Sequence, residues 1–212
     1  MWNRPRFLVV ILAAGLLTLA GCAERTWAPD VDVQRALYSN GDPPSITLYT
    51  VQSTRSGNGA HSGLVVNGAH RALFDPAGTF YHPAAPERND VHFGITENVL
   101  KVYVDYHARE TFDVIVQTVE VPAEVAAQAL SAIQAYGPVP NAQCTLSVSR
   151  VLSRLDGFES IPAGWFPNRL SDAFAALPDA TYARITDDDA DTNHGVLFEA
   201  AKNYTPNTAS DE

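Results

Sequence analysis

Cys144, His61 and Asp75 are the residue types that acyl transfer through a thiol requires, and their local sequences suit that chemistry. Cys144 follows Asn141-Ala142-Gln143 and precedes Leu146, Val148, Val151 and Leu152, so it falls in the first turn of a helix predicted over 144–155. Unpaired backbone N–H groups and the helix dipole favour an anion there. Such a position lowers a thiol pKa and offers oxyanion donors, here the Cys144 N–H and its neighbour Gln143. His61 heads an apolar strand ending at Val66, Asn67-Gly68 signals a hairpin, and the return strand runs from Arg71 to Asp75 before Pro76 ends it. A two-residue turn pairs Val66 with Ala69 and sets Asp75 opposite position 60. Partners across a ladder lie about 5 Å apart, and a one-residue bulge would make His61 and Asp75 direct partners. Cys144 would then attack a carbonyl, His61 would take and return the proton, and Asp75 would fix the imidazole tautomer.

Each residue also has a plain structural reading. A lone cysteine is often a small buried hydrophobe. His61 could be a strand-edge histidine bonded to backbone, and Asp75-Pro76 a strand-ending turn. His92-Phe93-Gly94-Ile95 is a rival of similar local form, but it lacks the Asn-Gly hairpin and the partner carboxylate. His70, His82, His107 and His194 show no His-x-x-x-His spacing on one helical face, which argues against zinc, and no cofactor is expected.

The elements that must position these residues follow from periodicity. Residues 23–44 are polar and proline-broken, a tether with a short helix near Val31–Tyr38. Ser45–Val51 alternates as a first strand. Residues 77–89 form a loop rich in proline, histidine and aromatics, and 91–108 suits either a helix, through Val99, Val102, Tyr103 and Tyr106, or a strand. Thr111–Val121 reads as a strand and Pro122–Tyr136 as a helix stopped by Gly137-Pro138. Ile161–Leu177 wraps the core and ends in a short helix, Tyr182–Ile185 is a last strand, and residues 186–212 read as an acidic, solvated tail with a short helix near Leu197–Asn203.

The order His61 on a strand, Asp75 on the next strand and Cys144 at a helix start resembles the circularly permuted papain-like proteins of the NlpC/P60 superfamily. That group includes lecithin:retinol acyltransferase-like enzymes and related bacterial hydrolases. His61-Ser62-Gly63-Leu64-Val65 is similar to the family's histidine strand, and Asn141-Ala142-Gln143-Cys144-Thr145 to its cysteine helix. In many members an asparagine precedes the cysteine, where this chain has Gln143. The resemblance spans residues 45–185 and implies an α+β papain-like domain, an antiparallel sheet packed against the helix that carries the cysteine. It also implies a thiol hydrolase or acyltransferase acting on an amide or ester, without choosing between peptides, isopeptides and lipids.

The N-terminus gives the compartment. Arg4 and Arg6 precede an apolar run from Phe7 to Leu19, short of the roughly twenty residues a spanning helix needs. Leu19-Ala20-Gly21-Cys22 resembles the lipobox of bacterial lipoproteins, which implies cleavage after residue 21 and acylation of Cys22. Several acyl chains anchor a protein stably without a spanning helix. Ala23, where aspartate often signals inner-membrane retention, favours the outer membrane, with the domain facing the periplasm. Of the two cysteines, Cys144 is then alone in an oxidising compartment, where a thiol is either buried and inert or kept for its reactivity. Loss of the signal leaves 12 basic against 24 acidic residues, a net charge of −12, which argues against nucleic acid as a partner. The expected partners are the membrane, through the lipid, and a peptide, peptidoglycan or lipid substrate. The expected activity is cleavage of an envelope amide bond, peptidoglycan stem peptides being the accessible candidate. The alternatives are lipid acyl transfer or thioesterase chemistry, and a non-catalytic lipoprotein that keeps the fold as a binding module.

Overall fold

A computed structural model describes residues 25–204, so the lipidation signal and Cys22 lie outside the described residues. The chain is α+β. Seven antiparallel strands form one sheet in the order β4-β5-β3-β2-β1-β6-β7. They are β1 (Ser45–Ser53), β2 (Gly59–Asn67), β3 (Arg71–Phe74), β4 (Glu87–Arg88), β5 (Val91–Phe93), β6 (Phe112–Glu120) and β7 (Ala183–Ile185). The helices are α1 (Asp30–Ala36), α2 (Glu97–His107), α3 (Ala123–Tyr136), α4 (Cys144–Leu152), α5 (Pro167–Ala175) and α6 (Asn193–Asn203).

Side chains alternate across a strand, so each central strand serves two layers. Ile46, Leu48, Leu64 and Val66 face α3, α4 and α5, whose Ala129, Ile133, Val148, Leu152 and Phe174 complete one core. Tyr49, Val65 and Leu73 face α2 and pack with Val99, Tyr103, Tyr106 and Phe80 in a second. The ambiguous stretch 91–108 thus divides into a short strand and a helix whose buried face is Val99, Tyr103 and Tyr106. Thr96 caps that helix, its hydroxyl accepting the Val99 N–H. Gly137, at φ 83°, ends α3 where a side chain would be strained.

The structure differs from the sequence reading in three places. The tether is absorbed into the domain from Trp27 onward: Trp27 bridges Arg88, Val33 is buried, and the Tyr38 carbonyl accepts the Arg71 N–H. The tail forms its expected short helix as α6, but that helix is not merely solvated: it lies on α2 and buries Leu197, while Asp189 is held by Arg109. Both segments are polar overall, and one or two apolar anchors suffice to dock them. The β2–β3 hairpin, finally, is not a two-residue turn. Val66 pairs with Ala72 and Asn67 with Arg71, leaving Gly68-Ala69-His70 as the connection. The Asn67 side chain explains this, because its amide donates to the Pro43 carbonyl at 3.0 Å and keeps Asn67 in the strand rather than in the turn.

Candidate active site

The corrected register sets the histidine–carboxylate pair without the expected bulge between them. With Leu64 opposite Phe74, the next position along the ladder places Asp75 across from Gly63, and His61 lies two residues further on the same face. Side chains on that diagonal reach each other. His61 Nε2 stands 2.7 Å from Asp75 Oδ1. A bulge does exist at Ala60, but on the opposite ladder, where Val51 pairs with His61 and Gln52 with Gly59. It ends the regular pairing of β2 at the histidine.

Cys144 begins α4, as its sequence context predicts. Ser62 and Thr145 register this helix against β2 through a buried hydroxyl pair at 3.0 Å. They are the residues next to His61 and Cys144, so the imidazole and the thiol are brought together by their immediate neighbours. Burial pushes the Cys144 thiol up. The hydrogen bond and charge of His61 outweigh this, helped by the Ser62 N–H and the Thr145 hydroxyl, and its pKa falls to about 7. Burial alone would lower His61, but the charge and hydrogen bond of Asp75 raise it to about 10, with Cys144 adding to the rise. Burial would raise Asp75, and the His61 imidazolium holds it well below the ordinary carboxylate range. Above the Cys144 midpoint near 7, the arrangement is a thiolate, an imidazolium and a carboxylate in sequence. Since Nε2 faces Asp75, Nδ1 is the ring atom left for the sulfur.

Two residues that the sequence does not single out complete the surroundings. Tyr103 donates its hydroxyl to Asp75 Oδ1 at 3.0 Å from a fully buried position. His107, one helical turn later, stacks parallel to His61 with centroids 5.5 Å apart, and its Nδ1 bonds the Tyr103 carbonyl at 2.8 Å. Burial lowers His107 to about 4, so its ring is neutral beside the charged His61. The i, i+4 spacing of Tyr103 and His107 on the buried face of an aromatic helix was the available signal. Donor atoms of His61, Asp75 and His107 lie within 4.8 Å of one another, a convergence from three elements that no sequence spacing encodes. His92, the rival histidine, is buried in β5 against the Phe80 ring and makes no hydrogen bond to Asp75.

The expected oxyanion donors divide. Cys144, as the first residue of α4, has an N–H with no acceptor within its helix. The Gln143 N–H is occupied by the Pro140 carbonyl at 3.2 Å, which removes it as a backbone donor and leaves only its side-chain amide.

Asp90 holds the two halves of the site in place. Its Oδ1 accepts the Ala77 N–H at 2.9 Å, its Oδ2 accepts the Val139 N–H at 2.8 Å, and its carbonyl accepts the Asp75 N–H at 2.9 Å. The turn after Asp75 and the segment leading to Cys144 are thereby pinned to one side chain. Both contain a residue in the left-handed region, Ala77 at φ 55° and Ala142 at φ 65°, a conformation that costs a non-glycine residue about 1 kcal/mol. Asp90→Ala removes both acceptors at once and is expected to lower unfolding free energy by about 2 kcal/mol in urea titration at pH 7. A loss under about 0.5 kcal/mol would mean the two segments hold themselves.

A cavity of about 220 Å³ opens beside His61 and His107, bordered by Gly78, Thr79, Tyr106 and Asn193. A larger one of about 370 Å³ lies on the outer side of α2 against β6 and β7 and contains none of Cys144, His61 and Asp75. Chemistry, not size, selects the first. No family model, curated protein or solved structure matches the chain.

Proposed function

We propose that this protein is a thiol hydrolase of the permuted papain-like kind, lipid-anchored in the bacterial envelope, that cleaves an amide bond through a thioester on Cys144. The observation that carries the reading is the His61–Asp75 contact at 2.7 Å beside a cysteine at a helix start whose pKa is lowered to about 7. The thiolate attacks the scissile carbonyl, and the Cys144 N–H receives the developing oxyanion. His61 gives its Nδ1 proton to the departing amine. The neutral ring then deprotonates a water that hydrolyses the thioester and restores the free thiolate and imidazolium. Asp75 keeps Nε2 protonated throughout and stabilises the imidazolium, and Tyr103 holds the carboxylate in plane. Peptidoglycan stem peptides are the substrate an envelope-anchored enzyme meets.

Acyl transfer from lipid is the second reading, favoured by one observation. Trp165 and Phe166 are more than half exposed, and they directly precede Pro167, which packs on Gly59 two residues before His61. An exposed aromatic pair next to the start of the histidine strand suits an apolar substrate.

The test is incubation of the protein with peptidoglycan and with phospholipid vesicles, followed by mass spectrometry of products and of Cys144. Shortened stem peptides support the hydrolase, and an acyl mass retained on Cys144 from vesicles supports the transferase. Cys144→Ala should abolish either. The rate should rise with pH as the thiol ionises near 7 and fall as the imidazolium is lost near 10. These limbs belong to the coupled pair rather than to one residue. No product from either substrate, with a thiol that reacts only on unfolding, would leave a non-catalytic binding module.

A further inference from the structure

We propose that His61, Asp75 and His107 form a binding site for a divalent transition metal of the zinc class, entered from the cavity beside His107 rather than past Cys144. The donor chemistry is two imidazoles and a carboxylate, a set that suits zinc and its neighbours. The three donor atoms lie within 4.8 Å of one another. Tetrahedral ligands about 2.1 Å from zinc stand about 3.4 Å apart, so no pair exceeds that by more than about 1.4 Å.

The surroundings are those of a ligand set rather than of a catalytic pair alone. His107 turns its Nδ1 to the Tyr103 carbonyl at 2.8 Å, which fixes the tautomer and leaves the Nε2 lone pair free. Outer hydrogen bonds of this kind orient metal-binding histidines. The carboxylate is held by Tyr103 in the same manner. Asp75 Oδ2 is buried, and among the described residues it has no hydrogen-bond partner, a costly state for a carboxylate oxygen that a cation relieves. A Cβ at Gly78 would stand 1.8 Å from that oxygen, so only glycine leaves it uncovered. His61, Gly78 and His107 all border the cavity of about 220 Å³, while Cys144 does not.

The consequence rests on the proposed catalytic reading, although the binding itself does not. An ion on Nε2 takes the place of the proton that His61 shares with Asp75, and that proton passes to solvent. The imidazole can then no longer serve Cys144 as an imidazolium, and the enzyme is silenced until the metal leaves.

Cobalt(II) added to the full chain in detergent is the probe, read by visible absorption. Nitrogen and oxygen ligation should give d–d bands without a thiolate-to-cobalt charge-transfer band, and zinc should displace them. His107→Ala is expected to weaken binding at least tenfold. A strong thiolate charge-transfer band, or affinity unchanged in His107→Ala, would place the metal on Cys144 and overturn the site. Should that variant not fold, nitrogen-15 NMR of the wild-type chain decides. Zinc must shift the Nε2 resonances of His61 and His107 together, and a shift of His61 alone overturns the proposal. These spectra are independent of turnover, so a protein that is inactive even when stripped of metal, yet binds cobalt this way, would sink the catalytic reading and leave the metal site standing.

Discussion

His61→Ala is expected to move the ionisation midpoint of Cys144 from about 7 to at least about 8.5, while turnover falls by about four orders of magnitude. The two numbers differ because they report different roles. At pH 7 a thiol of pKa 7 is half ionised, and one of pKa 8.5 is about 3 % ionised, a loss of about fifteenfold in thiolate. A more basic thiolate is also a better nucleophile, with a Brønsted slope of about 0.45, which returns about fivefold. Alkylation by iodoacetamide at pH 7 should therefore fall only about threefold. Amide cleavage needs more than a thiolate, because the leaving amine must be protonated and the hydrolytic water deprotonated, and in the proposed mechanism both steps use His61. Burial acts on the thiol in the same direction as loss of the imidazole, so the midpoint in the variant should not lie below that of a free cysteine. A midpoint that stays near 7 would show that the helix terminus alone lowers the thiol, and that His61 is not its partner.

Asp75→Asn separates the remaining role. The amide keeps the shape but not the charge that raises His61, so the imidazole should lose its proton at lower pH and the alkaline limb should move down from about 10. The sign follows from linkage: an imidazolium stabilised by a neighbour persists to higher pH, and removing the neighbour's charge shortens that range.

The parts of the site set by local pattern were legible in the sequence, and those set by packing were not. Cys144 at a helix start is a statement about apolar spacing in 146–152 and a broken stretch before it, both of which are local. His61 and Asp75 on adjacent strands could be read from the hairpin, but the register came out wrong by three positions. The error lay in taking Asn67 for a turn residue, when a long-range contact to the Pro43 carbonyl holds it in the strand. The face was nevertheless the same: Asp75 opposite Gly63 and Asp75 opposite a bulged His61 both point the carboxylate to the α2 side. Tyr103 and His107 were invisible for a different reason. Nothing in residues 91–108 says that this helix lies over β2 and β3, and only that placement turns an aromatic stripe into the support of a carboxylate. Asp90 is a similar case, since its two acceptors serve residues 13 and 49 positions away.

That support explains the glycine in His61-Ser62-Gly63 and yields the second large effect. A Cβ built on Gly63 would stand 2.2 Å from the Tyr103 hydroxyl oxygen and 3.3 Å from the ring carbon that bears it. Tyr103 is 1 % exposed, with Tyr49 and Phe80 edge-on to its ring, so it has little room to retreat. Gly63→Ala should therefore cost about 3 kcal/mol, the upper end for an overpacked core, and should displace the hydroxyl from Asp75. Tyr103→Phe alone should cost about 2 kcal/mol, the loss of one hydrogen bond to a charged acceptor. The combination is the informative variant. Phenylalanine removes the atom at 2.2 Å and leaves only the tight contact at 3.3 Å, so the alanine methyl then meets a surface it can nearly accommodate. The double variant is expected to be at least about 1.5 kcal/mol more stable than the sum of the two single losses, measured by urea unfolding at pH 7. Additivity within about 0.5 kcal/mol would mean that Gly63 is there for the backbone of β2 and not for the hydroxyl. Coupling of the expected size would mean that the small residue two places after the histidine exists because a tyrosine from another layer must reach over it to the carboxylate.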